Sequence, residues 1–249
     1  MNTAVMTQRI AEASPRFKAR IAGAFYLVVF VLGGVAVFVG GRFVVPNDAG
    51  ATAANILANE SSFRFAVTAA DLVTSACYVA VTALFYDLFK PVNRSVSLVA
   101  AFFSLVGCAI GALSGVFHLA PLAVLGGAQY LSVFTVEQLH ASALLFLKLY
   151  VQAQSIGLVF FGFYCLLIGY LIFRSNFLPS LLGLLMAFAG MGWLTFLWPP
   201  LANYLSPYIL APGIIGEGVL TLWLLAVGVN DQRWVEQAGR SRLSAAQAS

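Results

Sequence analysis

Long apolar runs, separated by short charged or proline-containing segments, make up most of this chain. Arg20 and Arg42 bracket one uncharged run, Ile21–Gly41. At ~1.5 Å per residue, a helix of that length crosses a ~30 Å hydrocarbon core. It exceeds the roughly 7–15 apolar residues of a cleaved signal peptide, so it reads as a retained first span. A second span covers about Phe63–Phe89, interrupted by Asp71. A third covers about Val96–Leu119, with Pro121 and Gly126–Gly127 breaking the pattern beyond it. The fourth covers about Leu145–Phe173. Residues Thr135–Lys148 before it are either its overhanging extension or a separate interfacial helix. Pro179 opens a fifth span, since proline is tolerated in a first turn, and Pro199–Pro200 closes it. The sixth covers about Tyr208–Val229.

The pattern predicts an all-α fold, a polytopic membrane bundle of six transmembrane helices over residues 20–230. Residues 1–19 form an N-terminal tail and residues 231–249 a C-terminal one, both expected to be loose toward the ends of the chain. Composition agrees: 61% of the 249 residues are hydrophobic and 9% charged, against about 25% charged in a soluble domain. Lipid is the solvent that suits such a surface. Nucleic acid is not implied by the net charge of +4, because the basic residues flank the spans and form no stripe. With six spans, Arg9, Arg16, Lys18, Arg20, Lys90, Arg94, Arg174, Arg233, Arg240 and Arg242 fall on one side, and Arg42, Arg64 and Lys148 on the other. This ten-to-three split predicts both termini in the cytoplasm of a cell whose inner membrane holds the chain. Cys77, Cys108 and Cys165 all lie in apolar runs and read as buried small hydrophobes, not as a disulfide framework.

Polar residues within the spans carry the most information. Arg64, Thr68, Asp71, Ser75, Tyr78 and Thr82 recur at spacings of four and three, which makes one polar stripe along a helix. Such a stripe faces the bundle interior or water, because a charge at depth costs about 2.5–3.5 kcal/mol on insertion scales. Asp71 and Glu217 lie ~12 and ~13 Å below the outer starts of their spans, and so at similar depth. His118 reaches the outer boundary of the third span, and Gln154 opens the fourth on the same side. Arg64, Asp71, Ser75, His118, Gln154 and Glu217 are thus the candidates for a polar, outward-facing ligand cavity. Glu137-x-x-His140 has the spacing of a carboxylate–histidine metal pair, a weak signal alone. Gly107, Gly111 and Gly115 share one face of the third helix and are expected to pack against another helix, as are Gly183, Ala187 and Gly190 of the fifth. No phosphate loop, zinc-protease motif or nucleophile elbow is present, and no cofactor is implied.

Several stretches resemble a bacterial membrane family known as domain of unknown function 4386. They are Arg20-Ile-Ala-Gly-Ala-Phe-Tyr-Leu, Phe85-Tyr-Asp-Leu-Phe-Lys-Pro-Val, residues 160–179 beginning Phe160-Phe-Gly-Phe-Tyr-Cys, and Gly216-Glu-Gly-Val-Leu-Thr-Leu-Trp. The resemblance implies a multi-span inner-membrane protein, places Glu217 at the family's glutamate before its tryptophan-containing last helix, and supplies no activity.

The pattern favours a binding or transport-like protein for a small ligand or ion over an enzyme. The second reading is a membrane-embedded enzyme acting on a lipid or other hydrophobic substrate, with His118 and an acid as its acid–base pair. The third is a non-catalytic assembly partner, for which the glycine faces would matter most. The bilayer is the expected partner; a homo-oligomer is compatible with the pattern, and the small-molecule ligand is left open.

Overall fold

The computed structural model describes residues 14–206 and 208–247. Of the expected tail segments, residues 1–13, which include Arg9, and residues 248–249 lie outside the described set, as does Pro207. The described residues form helices and no strands. In chain order these are α1 (Pro15–Phe43), α2 (Ala49–Ala58), α3 (Glu60–Thr68), a π turn (Ala69–Val73), α4 (Thr74–Phe89), α5 (Arg94–Leu125), α6 (Val136–Arg174), α7 (Ser180–Leu194), α8 (Pro199–Leu205), α9 (Ala211–Ala226) and α10 (Asp231–Gln247). Among the described residues, six helices are long and apolar enough to cross a membrane: Pro15–Phe43, Asp71–Phe89, Arg94–Leu125, Val136–Arg174, Ser180–Leu197 and Tyr208–Ala226. Large apolar side chains such as Phe38, Leu113 and Leu222 are about two-thirds exposed, as lipid-facing positions should be.

Three details depart from the sequence reading, and one question it left open is answered. The third span does not break at Pro121 but carries it within α5, ending at Leu125 before the left-handed Gly127. Transmembrane helices tolerate such prolines because neighbouring groups satisfy the freed backbone. Thr135–Lys148 is an extension: α6 is one helix of 39 residues from Val136. A short helix, α2, fills part of the connection between the first two spans, with the Asp48 side chain accepting from the Ala51 N–H as its cap. The C-terminal segment, expected to be loose, is helical from Asp231 to Gln247. It is tied down at its start, where Trp234 Nε1 donates to the Leu88 carbonyl at 2.8 Å.

The chain divides into two compact units. The first comprises residues 1–27, 78–106 and 158–249, the second residues 28–77 and 107–157. In the first, the core is built from Tyr26, Phe85, Leu88, Phe89, Ile168, Leu171, Met186 and Leu220, all nearly or fully buried. There α6 and α7 approach backbone to backbone. A Cβ placed on Gly169 would lie 2.7 Å from the Gly183 carbonyl, and one on Gly190 would lie 2.8 Å from that of Gly162. The fifth-span face of Gly183, Ala187 and Gly190 is therefore a packing face. On the other side of α7, Gly213 of α9 leaves room for the Trp193 ring and Gly216 for the Leu185 carbonyl. In the second unit, Phe43, Ile56, Phe63 and Leu147 form an apolar cluster flanked by Leu119, Leu122 and Leu125.

Candidate functional site

The second span is not a continuous α-helix. The π turn Ala69–Val73 inserts an extra residue at the level of Asp71, so the three-and-four spacing of the stripe does not carry across it. Single π turns of this kind occur often at functional sites. Upstream of it, Arg64 is not in a cavity: it pairs with Glu60 at 2.9 Å, and both side chains are more than half exposed. The Thr68 side chain lies outside the described set.

Asp71 itself is buried, its side chain 5% exposed. His118 of α5 brings Nδ1 to 3.0 Å from Asp71 Oδ2. Tyr150 of α6 donates its hydroxyl to Asp71 Oδ1, also at 3.0 Å. One turn further along α6, Gln154 Nε2 donates to the Tyr150 oxygen at 3.1 Å. The His118 ring stacks on Tyr150, with centroids 3.9 Å apart, and Phe63 meets its edge at 5.6 Å. These hydrogen bonds converge on Asp71, from Gln154 through Tyr150 on one oxygen and from His118 on the other. With Nδ1 held by the carboxylate, the other imidazole nitrogen is the group left to exchange a proton.

Glycines make the space for this cluster. A Cβ at Gly115 would sit 3.5 Å from Asp71 Oδ2, and one at Gly111 would sit 3.7 Å from Gln154 Oε1 and 3.8 Å from Ser75 Oγ. Two of the three glycines expected to form a helix-packing face therefore look onto polar side chains. Only the third reaches a helix backbone: the Gly107 carbonyl lies 3.5 Å from where a Gly157 Cβ would be. The reason is the size of the residues opposite, since Asp71 and Gln154 fill the gap that a second helix backbone would otherwise occupy.

Of the residues expected around one cavity, His118 and Gln154 thus join Asp71, Ser75 lies with Gln154 beside Gly111, and Glu217 has a different set of partners. Glu217 lies in α9 of the first unit and is buried. Its Oε1 accepts from Trp193 Nε1 of α7 at 2.5 Å. Its Oε2 accepts from Tyr78 of α4 at 3.1 Å and from Tyr26 of α1. The two phenol oxygens are themselves 3.0 Å apart, and their rings meet edge-on. Phe161 and Tyr164 of α6 close the setting around Tyr78. A triangle of three oxygens holds two phenol protons when the carboxylate is ionised, both donated to Oε2. A third proton on the carboxyl frees one phenol to bond the other. The network thus has a complete set of hydrogen bonds in either state.

Glu137 is exposed and His140 half-buried, and no group of three His, Cys, Asp or Glu side chains fit to hold a metal occurs among the described residues. Among the described residues the pair thus has no third such side chain beside it. The residues that sequence reasoning missed are aromatic: Tyr150, Tyr26 and Trp193. The signal for Tyr150 was its place one turn before Gln154. Tyr26 lay within the first of the stretches that carry the family resemblance.

Residues 21–228 match a family model described as a domain of unknown function (DUF4386). An uncharacterised protein of Archaeoglobus fulgidus is 24% identical over 155 residues, covering 60% of this chain and 76% of that one. No solved structure matches the chain.

Proposed function

Since the chain belongs to the family described as domain of unknown function 4386, whose description names no reaction, we propose a function from the site alone: a membrane-embedded, transport-like protein that binds and passes a proton or small cation at Asp71, His118, Tyr150 and Gln154. The observation that carries this reading is the buried Asp71 carboxylate, bonded on one oxygen to an imidazole and on the other to a phenol. Ionisable groups inside a bundle are rare and mark ion or proton pathways by default. The π turn supports the reading, because it is a break in helix register placed at the acid itself. The ten-to-three split of basic residues supports a topology with both termini in the cytoplasm, which sets this cluster toward the outer face of the inner membrane.

The test is flux. Protein reconstituted in liposomes with a pH-sensitive dye inside is exposed to an imposed gradient of protons, sodium or potassium. Wild type is expected to dissipate one of these gradients. Asp71→Asn and His118→Gln are expected to retain the fold and lose the flux, because the isosteres keep shape and hydrogen bonding but not the charge change. Flux in Asp71→Asn equal to wild type would remove Asp71 from the pathway.

A membrane-embedded enzyme is the second reading, favoured by one observation: the carboxylate–Nδ1 contact fixes His118 as an acid–base group would be fixed. That reading expects no gradient to be dissipated by wild type, and a hydrophobic substrate to be turned over only with His118 intact.

A further inference from the structure

Six span ends belong to the first unit at one end of its helices: Pro15, Phe89, Arg94, Arg174, Ser180 and Ala226. Most cations there are matched within the chain. Lys18 and Lys90 share Asp87. Arg16 Nε donates to the Val227 carbonyl at 3.1 Å, and Arg20 to that of Ala226 at 3.1 Å, so both guanidiniums cap the end of α9. Arg233 donates to the Asn176 carbonyl at 3.3 Å. The guanidiniums of Arg94, Arg174 and Arg240 have no carboxylate or carbonyl partner among the described residues, and Arg174 and Arg240 stand together.

Arg174 and Arg240 line one cavity of about 470 Å³, with Pro91, Val92, Asn176, Gln237 and Ser241 as its other walls. The walls are fixed. The Asn176 N–H donates to Gln237 Oε1 at 3.1 Å, Gln237 Nε2 donates to the Arg174 carbonyl at 3.4 Å, and Trp234 anchors α10 on Leu88. Two like charges on the rim of one cavity repel, and an anion between them offsets that repulsion. Arginine forks suit phosphate oxygens in particular. The setting indicates where that phosphate comes from. Arg174 is the last residue of its span, and Phe173 and Tyr170 just before it are 64% and 45% exposed, as they would be against acyl chains. Basic pockets at this level of a membrane bundle take lipid headgroups.

We propose that the Arg174–Arg240 cavity binds the phosphate of an anionic phospholipid headgroup. The inference is independent of the transport reading, since it uses none of the residues around Asp71. The experiment compares thermal unfolding of the full chain in phosphatidylcholine nanodiscs with and without phosphatidylglycerol, and in phosphatidylcholine discs with added inorganic phosphate. Phosphatidylglycerol is expected to raise the unfolding temperature of wild type. Arg174→Gln with Arg240→Gln is expected to abolish most of that rise, and Arg64→Gln, an exposed arginine in the other unit, to keep it. Where the double variant fails to fold, Arg240→Gln alone serves, because that side chain is exposed and bonds nothing. The proposal is overturned by a phosphatidylglycerol shift that survives the substitutions, by no shift in wild type, or by inorganic phosphate reproducing it in full, which would make the site one for a free anion.

Discussion

At the scale of single residues, a buried carboxylate is defined by what it accepts. Glu217 accepts from Tyr26, Tyr78 and Trp193, with the Cys165 thiol as a further donor, and removing one leaves part of a buried charge unsatisfied at a cost of about 1–3 kcal/mol. Tyr26→Phe and Trp193→Phe are therefore each expected to lower stability by about that amount, read as a shift in detergent or nanodisc thermal unfolding. A loss well under about 0.5 kcal/mol in both would mean that water or another side chain replaces the donor without penalty. The four polar residues Asp71, His118, Gln154 and Glu217 were legible in the sequence, because a polar group inside a long apolar run stands out. Tyr150, Tyr26 and Trp193 were not. An aromatic ring with one polar atom looks the same in sequence whether that atom serves a carboxylate or the membrane interface. Arg64 was ambiguous for the related reason that a long side chain near a span end can reach either inward or outward.

At the scale of elements, the spans could be read from gaps between charges, and their number carries over unchanged. What the gaps did not reveal was continuity: α5 continues through Pro121, and α6 is helical from Val136. Nor could the residues reveal the π turn, since Ala69–Val73 contains no proline or glycine to announce it. Small-residue spacing identified helix faces but not what lies opposite them. Gly111 and Gly115 face side chains, whereas Gly169 and Gly183 face each other's backbone. Gly183→Leu is thus expected to cost about 1–3 kcal/mol or more, since the atom it meets is backbone and cannot turn aside. Gly41→Leu should cost little, because nothing lies within 4 Å of a Cβ there. Equal losses in the two variants, measured by unfolding temperature, would remove the close α6–α7 approach from the account.

At the scale of the whole molecule, composition alone selected lipid as the solvent, and hydrophobic run lengths selected a helical bundle. The partition into two units was not legible, because it depends on which halves of long helices pack together, and apolar runs look alike along their length. The lengths of the spans have a mechanical meaning as well. The span Val136–Arg174 has 39 residues and would measure about 58 Å, far more than any hydrocarbon core. The spans Asp71–Phe89, Ser180–Leu197 and Tyr208–Ala226 have 19, 18 and 19 residues, roughly 27–29 Å, slightly less than a typical core. A thicker bilayer can climb along the longer rods at no cost but must either pinch around the three short ones or bury their polar ends, at a fraction of a kcal/mol per Å. The protein is thus a gauge with three slack arms, of 29, 32 and 39 residues, and three taut ones, of 18, 19 and 19. Its unfolding temperature is expected to fall as acyl chains are lengthened in a series of otherwise identical bilayers, and to stay nearly level as they are shortened toward the length of the taut arms.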